Sequence, residues 1–383
     1  MLDVYTDGIK IVGVSDDECQ IRVIGVGGGG GNAASYLFDK SLDNVDFVVC
    51  NTDSQALGKC TVFERVLLGE KGLGAGGDAE VGREIAEADK DKIEDLLGSE
   101  TEMVFIAACM GGGTGTGVAP VVARTAKDRG ILTVAVVTLP FSFEGEAKRK
   151  MAEDGLAKMR ESVDSIVVIE NDDLLKFYYE DGLDQDVDAA FAKSDEVLAS
   201  AVRGIVELVT VYTRINLDMA DVRSVMTNGG DVIMGVAKAC GENRASEAIK
   251  KALRSPLVEY CDVKSADKVL LLITYGSKFG MSEFEDVTRP LKSLGFSSGG
   301  NLIWGMGQSS ELNPDELHVT VVAAGVERRE RTDESVVKQI YEDEVKGQEP
   351  SPNKGKKFFD ISKFDDESFI EMMENSRPGT INV

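Results

Sequence analysis

The stretch Gly111-Gly-Gly-Thr114-Gly-Thr116-Gly117 constrains this chain more than any other. It follows the apolar run Met103-Val-Phe-Ile-Ala-Ala-Cys109 and precedes Val118-Ala-Pro-Val-Val-Ala-Arg124. Five glycines and two threonines between a strand-like and a helix-like segment make a loop without side-chain bulk and with two hydroxyls. Backbone N–H groups of such a loop can converge on an anion at a helix N-terminus, where the helix dipole already favours negative charge. The pattern points to a phosphate chain. A glycine-rich turn needed only for close packing is the alternative that the loop by itself leaves open.

At 383 residues the chain exceeds the usual size of one hydrophobic core, so two domains and a tail are expected. Apolar residues make up 43%, enough for a sizeable core, while no run approaches the roughly 18 apolar residues of a membrane span. Met1-Leu-Asp-Val-Tyr-Thr-Asp-Gly8 lacks the basic and apolar regions of a signal peptide, so a cytoplasmic protein without membrane insertion is expected. Six cysteines, at 19, 50, 60, 109, 240 and 261, include no C-x-x-C pair and read as buried thiols. The single histidine, His318, lies in a strand-like run, which disfavours histidine acid–base chemistry and His-rich zinc sites. The net charge is −25, of which residues 326–383, with 10 basic and 14 acidic side chains, carry −4. So acidic a body argues against a nucleic-acid partner and makes self-association sensitive to salt and divalent cations.

Along the chain, strand and helix patterns alternate through the first half. Ile21–Val26 reads as a strand, Gly27–Gly31 as a loop, and Asn32–Phe38 as the helix it feeds. G-x-G-x-x-G is satisfied at Gly25, Gly27 and Gly30, with Asp46 and Asp53 at the distance of a ribose-binding carboxylate, so a dinucleotide site is a competing reading. Val45–Cys50 reads as a strand ending in Asn51-Thr-Asp53, and Val62–Leu68 as another, followed by Gly72-Leu-Gly74-Ala75-Gly76-Gly77-Asp78. A helix from about Ala79 to Leu97, a strand Leu132–Thr138, a helix entered through Pro140-Phe-Ser-Phe-Glu144-Gly145, and a strand Ser165–Ile169 leading into Glu170-Asn171-Asp172 continue the series. Glycine-rich or polar loops thus fall repeatedly at the C-terminal ends of strands, where open α/β sheets bind ligands.

From Ser194 to about Thr213, apolar residues recur at helical spacing over a broad face, as a connector between two domains would need. It leads to Asn216-Leu-Asp218-Met-Ala-Asp221, whose two carboxylates can share one face of a turn; ordinary helix capping is the alternative. Further strands at Asp231–Ala237, Val269–Thr274, Asn301–Trp304 and Leu317–Ala324, with helices near 243–254 and 282–294, describe a half without phosphate-type loops. After Gly325 the composition becomes that of a linker, and Phe358–Phe364 with Phe369-Ile370 restores apolar anchors, either as a peptide that orders on a partner or as an arm on its own body.

No G-x-x-x-x-G-K-[ST] occurs, so the P-loop families are disfavoured. Gly27–Asn32, Asn51-Thr-Asp53, Gly72–Asp78, Gly111–Gly117, Phe143-Glu144-Gly145, Asn171-Asp172 and Asn216–Asp221 occur in the order and approximate spacing of the FtsZ family, the prokaryotic cell-division relatives of tubulin. The resemblance covers roughly residues 20–325, and G-G-G-T-G-T-G with N-x-D-x-x-D carries it.

The resemblance implies a tubulin/FtsZ-like α/β fold: a Rossmann-like GTP-binding domain (1–193), a central helix (194–215), a smaller α+β domain (216–325), and a linker with tail (326–383). It implies a GTPase that polymerises head-to-tail at the division site, holding GTP or GDP with Mg²⁺ through the phosphates. Gly28, Gly29, Gly30, Gly31 and Asn32, with Gly111, Gly112, Gly113, Thr114, Gly115, Thr116 and Gly117, would surround the phosphates. Asn51, Asp53, Gly74, Ala75 and Gly76 would complete that side, and Glu144 would face the ribose. Phe191 would lie against guanine, and Asn171 and Asp195 would read its edge. Asn216, Asp218 and Asp221 would enter the next subunit's pocket and act on the attacking water. Lys148 stands where the family commonly has a nucleotide-contacting arginine, and it lacks that residue's planar fork. The tail would meet a membrane-tethering adaptor. The alternatives are an assembling GTP-binding protein with little hydrolysis and, more remotely, a dinucleotide-dependent oxidoreductase.

Overall fold

Strands that are apolar without alternation must be covered on both faces, and in the computed structural model they are. Described are residues 20–328 apart from 41, 43, 181–186, 211–213, 216, 256–257, 259–260, 297–300 and 310–311. The strands are β1 (Ile21–Val26), β2 (Asp46–Asn51), β3 (Glu64–Leu67), β4 (Met103–Cys109), β5 (Leu132–Leu139), β6 (Ser165–Glu170), β7 (Gly230–Cys240), β8 (Cys261–Asp262), β9 (Lys268–Tyr275), β10 (Leu302–Gln308), β11 (Glu316–Ala324) and β12 (Glu327–Arg328). The α-helices are α1 (Gly27–Asp39), α2 (Ser54–Lys59), α3 (Ala79–Ala88), α4 (Lys90–Leu96), α5 (Gly113–Asp128), α6 (Glu146–Ser162), α7 (Asn171–Glu180), α8 (Val187–Thr210), α9 (Met219–Met226), α10 (Arg244–Leu253) and α11 (Met281–Ser293).

Ten strands form one sheet in the order β10-β9-β11-β7-β6-β5-β4-β1-β2-β3. From β3 to β6 every neighbour is parallel, so the strands' C-terminal ends, and the loops after them, share one edge. All eight residues of β5 are buried. One face packs on α1, α8 and α9, the other on α5, α6 and the α3–α4 pair. At β6 and β7 the sheet narrows to two residue pairs, Ser165–Gly230 and Ile166–Asp231. Beyond it, β7, β11 and β9 are antiparallel, and β10 joins β9 in parallel. Along β11, Leu317, Val319, Val321 and Ala323 face a core shared with α10 and α11, whereas Val322 and Ala324 join the core around α8.

Three expectations are corrected locally. The glycine run 27–31 is the first turn of α1 rather than a loop, and Gly113–Gly117 likewise opens α5. The helix expected over 79–97 is two helices broken at Asp89, whose carboxylate accepts from Gly69 N at 2.6 Å and from Lys92 Nζ at 2.8 Å. The connector begins at Val187, because its first turns carry small residues, Ala189, Ala190 and Ala192, that give no apolar period.

Candidate functional site

Helix N-termini leave unpaired N–H groups that a side chain normally caps. Asp53 caps α2, Asp78 caps α3 and Asp218 caps α9. The N-termini of α1 and α5 have neither a side-chain cap nor an acidic residue in the first turn. They lie side by side: a Cβ on Gly27 would be 3.2 Å from Gly115 N and 3.4 Å from Thr114 Cβ. Two uncapped, adjacent helix ends form an electropositive cradle made of backbone alone, which suits a chain of phosphates.

The glycines divide into two kinds. A Cβ on Gly30 would fall 2.1 Å from Ala107 O, and one on Gly115 2.2 Å from Cys109 O, so these positions let the helices seat on β4. A Cβ on Gly25 would meet Gly30 O at 2.4 Å, which gives a packing reason for two glycines of the dinucleotide-like pattern. Gly28 and Gly112 have nothing within 4 Å and no positive φ, so neither packing nor backbone conformation demands glycine there. Both lie at the uncapped helix ends, where the missing side chain leaves the backbone N–H groups open to a ligand.

Both signature hydroxyls are engaged. Thr116, buried, accepts from Gly111 N at 2.8 Å, and Thr114 bonds Thr52 at 2.7 Å. They brace the cradle, and Thr52 ties it to β2. Asn51 Oδ1 accepts from Asp53 N at 3.1 Å, and Asp53 in turn accepts from Gln55 N and Ala56 N. The segment 72–78 is held to this corner by Ser54 N to Gly72 O and Gly74 N to Thr52 O, at 3.0 and 2.9 Å. Ala75 lies against Gly113, where a Cβ would come within 2.9 Å of it. Gly74 and Gly76 take positive φ there, 80° and 60°.

On the opposite rim, Glu144 Oε1 accepts from Phe141 N at 2.9 Å while Glu144 Oε2 accepts from the Lys148 ammonium. The Lys148 stem runs over Gly111, which leaves room for it. Burial disfavours the Arg149 charge, but its pairings with Glu170 at 2.7 Å and Glu153 at 2.9 Å together outweigh that and raise its guanidinium pKa. Phe141 and Phe143 stack at 4.9 Å, and Phe191 meets both edge-on at 5.3 and 6.1 Å. Phe143 and Phe191 remain exposed, leaving an aromatic wall open to a planar group.

At the start of α8, Asn32 Nδ2 donates to Asp195 Oδ2 at 2.8 Å. Burial raises the Asp195 pKa above the usual carboxylate value, and the bond from Asn32 opposes that shift. Ser194, buried, donates to Asn171 Oδ1 at 2.7 Å. Sequence reading missed Ser194 as a partner of the site; a hydroxyl on the buried stripe of an apolar helix was its signal. Cys109, beneath Gly29, was also missed: a Cβ on that glycine would meet its Sγ at 2.2 Å, and burial pushes the thiol up to about 12.

Asp218 and Asp221 are not at this cradle. They follow α8 at its other end, and fifteen residues of helix between Asp195 and Thr210 span roughly 22 Å. Asp218 is exposed and Asp221 half-buried, each bonded to the other's backbone amide. Asn216 lies outside the described residues.

Residues 20–179 match the model of the Tubulin/FtsZ family, GTPase domain, and residues 230–327 that of the FtsZ family, C-terminal domain. The cell division protein FtsZ of Wigglesworthia glossinidia brevipalpis is 45% identical over 320 residues, 83% of this chain and 82% of that protein. An FtsZ dimer from M. jannaschii, solved empty, has a TM-score of 0.74 at 35% identity, over 83% of this chain and 95% of that one. CetZ2 from Haloferax volcanii, solved as a GTPgS bound protofilament, has a TM-score of 0.66 at 26% identity, over 86% and 99%.

Proposed function

The chain belongs to the tubulin/FtsZ family, on its FtsZ branch, and from that membership we propose how binding and hydrolysis of GTP are divided between neighbouring subunits. It is a GTPase that polymerises and acts in cell division. The phosphates sit on the N-termini of α1 and α5, against Gly28–Gly31, Asn32 and Gly111–Gly117, with Gly74, Ala75 and Gly76 closing the side that Asn51 and Asp53 brace. Glu144 and Lys148 border the ribose, Phe191 covers the guanine face, and Asn171 and Asp195 read its edge. The cradle supplies N–H dipoles rather than full charges, and the Lys148 ammonium is held by Glu144. A triphosphate there keeps most of its charge, which fits a Mg²⁺ carried on the phosphates. That ion, when bound, would neutralise charge developing on the phosphate oxygens.

Asp218 and Asp221 cannot reach the nucleotide of their own subunit, and this separation along α8 carries the reading. In a head-to-tail filament the exposed turn enters the next subunit's pocket, and one carboxylate orients and polarises the attacking water. Asn216, outside the described residues, is proposed to act with them. Hydrolysis then follows assembly, because water-activating groups and phosphates meet only at an interface. In this division of labour residues 1–193 bind, 194–215, which include most of α8, link, and 216–325 present the turn.

We further propose that the tail, through 358–364, which lie outside the described residues, engages a membrane-tethering adaptor at the division site. Among the described residues no helix is long and apolar enough to cross a membrane itself.

Right-angle light scattering with parallel phosphate release, as protein is raised in GTP and Mg²⁺, tests the intersubunit site. Turnover and scattering should share a concentration threshold. Turnover linear in protein from the lowest concentration would overturn the reading.

A further inference from the structure

Strand β10 contains a glycine that its own backbone does not require. Gly305 sits mid-strand without a positive φ, where glycine weakens a strand and marks a close approach by something else. What approaches is the chain leading into Asp218. A Cβ on Gly305 would lie 2.9 Å from Ile215 O, 3.0 Å from Leu217 Cγ and 3.4 Å from Leu217 N. At the adjacent residue, Ile215 N donates to Met306 O and Met306 N donates to Ile215 O, both at 3.0 Å. β10 is the outer strand of the sheet, and Ile215 bridges it on the side away from β9. The segment before the turn is therefore seated on β10 by two hydrogen bonds and by the absence of one methyl group.

The other end of the turn's helix is held elsewhere. Arg223 Nη2 donates to Glu102 O at 3.0 Å, Lys268 Nζ to Ser224 O at 2.6 Å, and Ser165 Oγ to Met226 O at 2.6 Å. Val222, Val225 and Met226 are buried in the core around α8. With the C-terminal end of α9 fixed to the sheet, anything that lifts Ile215 and Leu217 off β10 moves the Asp218 end.

We propose that Gly305 and Met306 are positioning residues for hydrolysis: β10 sets the height at which Asp218 and Asp221 are presented to the neighbouring subunit's nucleotide. This rests on the reading of that turn as the water-activating one. Both residues contact the segment that leads into Asp218 and lie away from the cradle of their own subunit, so neither belongs to the GTP-binding site of the unassembled chain. Their effect belongs to kcat and not to GTP binding. A misplacement of about 1 Å in such a group can lower turnover by about 100-fold.

Two variants of the full chain attack the same contact in opposite ways. Gly305→Ala inserts a methyl group under the turn, and Met306→Pro removes the donor to Ile215 O on the outer side of an edge strand, where no ladder hydrogen bond to β9 is lost. Each is assayed for GTP binding below the assembly threshold and for kcat and KM per sedimented polymer, with Asp218→Ala alongside. The proposal expects kcat to fall by about tenfold or more in both, with GTP affinity and KM within about twofold of the parent chain. It is overturned if Asp218→Ala abolishes turnover while both variants keep their kcat. It is also overturned if GTP affinity falls together with kcat in both, since the strand would then support the whole fold. If Asp218→Ala leaves turnover per polymer unchanged, the underlying reading of the turn fails and takes this proposal with it, whatever the two variants do.

Discussion

Asp218 and Asp221 each accept a hydrogen bond from the other's backbone amide, Asp221 N to Asp218 Oδ1 at 2.8 Å and Asp218 N to Asp221 Oδ2 at 3.1 Å. The exchange is a capping box closed by two acids, so the bland and the chemical readings of this turn are compatible. Each carboxylate uses one oxygen to start α9 and has a second. Rigid caps make well-aimed groups.

Asparagine separates the two roles, because its side-chain oxygen caps a helix as well as aspartate does but carries no charge. Asp218→Asn should leave the thermal transition nearly unchanged while kcat per polymer falls by about 100-fold or more. Asp218→Ala should lose the cap as well, at about 1 kcal/mol. Calorimetry beside phosphate release reads both quantities. Equal turnover in Asp218→Asn and the parent would remove the charge from the mechanism.

Gly28 and Gly30 are two residues apart and should fail in different ways. At Gly30 a methyl group has no room against Ala107 O, so Gly30→Ala should lower the stability of the nucleotide-free protein by about 1–3 kcal/mol. At Gly28 a methyl group meets open space in a helical turn, so the empty protein should be as stable or up to about 1 kcal/mol more stable. GTP, however, should bind more weakly to Gly28→Ala. Thermal shifts with and without GTP distinguish these outcomes, and a Gly28→Ala protein that binds normally would place the phosphates elsewhere.

His318 makes the sheet of the second half sensitive to acid. Its Nε2 is buried without a hydrogen-bond partner among the described residues. Burial comes first among the causes that lower its pKa from 6.5 to about 4; Lys238 and Arg203 add to it and Glu316 opposes. The unfolded chain takes up this proton near 6.5 and the folded chain only near 4. The stability at stake is therefore fully present above 6.5 and declines as pH falls towards 4, by up to about 3 kcal/mol. His318→Gln removes that component. Denaturation midpoints of parent and variant should converge on acidification, and a constant difference from pH 7 to pH 4 would show that the imidazole does not titrate this way.

The sequence made the nucleotide half legible because its signals are strong where physics allows few solutions. A short unalternating run such as Leu132–Leu139, flanked by Gly130 and Pro140, fits a strand covered on both faces, and the glycines after such strands mark seats or cradles. It could not sort seats from cradles, since the difference between Gly30 and Gly28 is the distance to Ala107 on another strand. Asp89 breaks a helix through Gly69 and Lys92, of which only the lysine is local. Ser194 and Gly305 act on Asn171 and Leu217, 23 and 88 positions away along the chain. Helical periodicity marked where the connector is covered but not where it starts, because alanines at 189, 190 and 192 carry little apolar contrast.

Asp195 offers a test of how the base is read. A carboxylate accepts two parallel hydrogen bonds, and guanine presents two donors side by side, its ring N–H and its exocyclic amino group. Asn32 now donates to Asp195 Oδ2, so the carboxylate is already aimed and partly compensated where burial disfavours its charge. Asp195→Asn would present one acceptor and one donor in nearly the same shape. Xanthine, with a carbonyl in place of the exocyclic amino group, matches that pattern. The variant should therefore lose GTP affinity and gain XTP affinity, with each mismatched pair worth about 1–3 kcal/mol. Competition of GTP and XTP for parent and variant reads the exchange directly. Because the Asp195 pKa lies above the ordinary range, GTP affinity of the parent should also weaken on acidification earlier than an exposed carboxylate would dictate, and the variant should lose that dependence. Loss of both nucleotides without a change in preference would mean that Asp195 supports the start of α8 rather than reading the base.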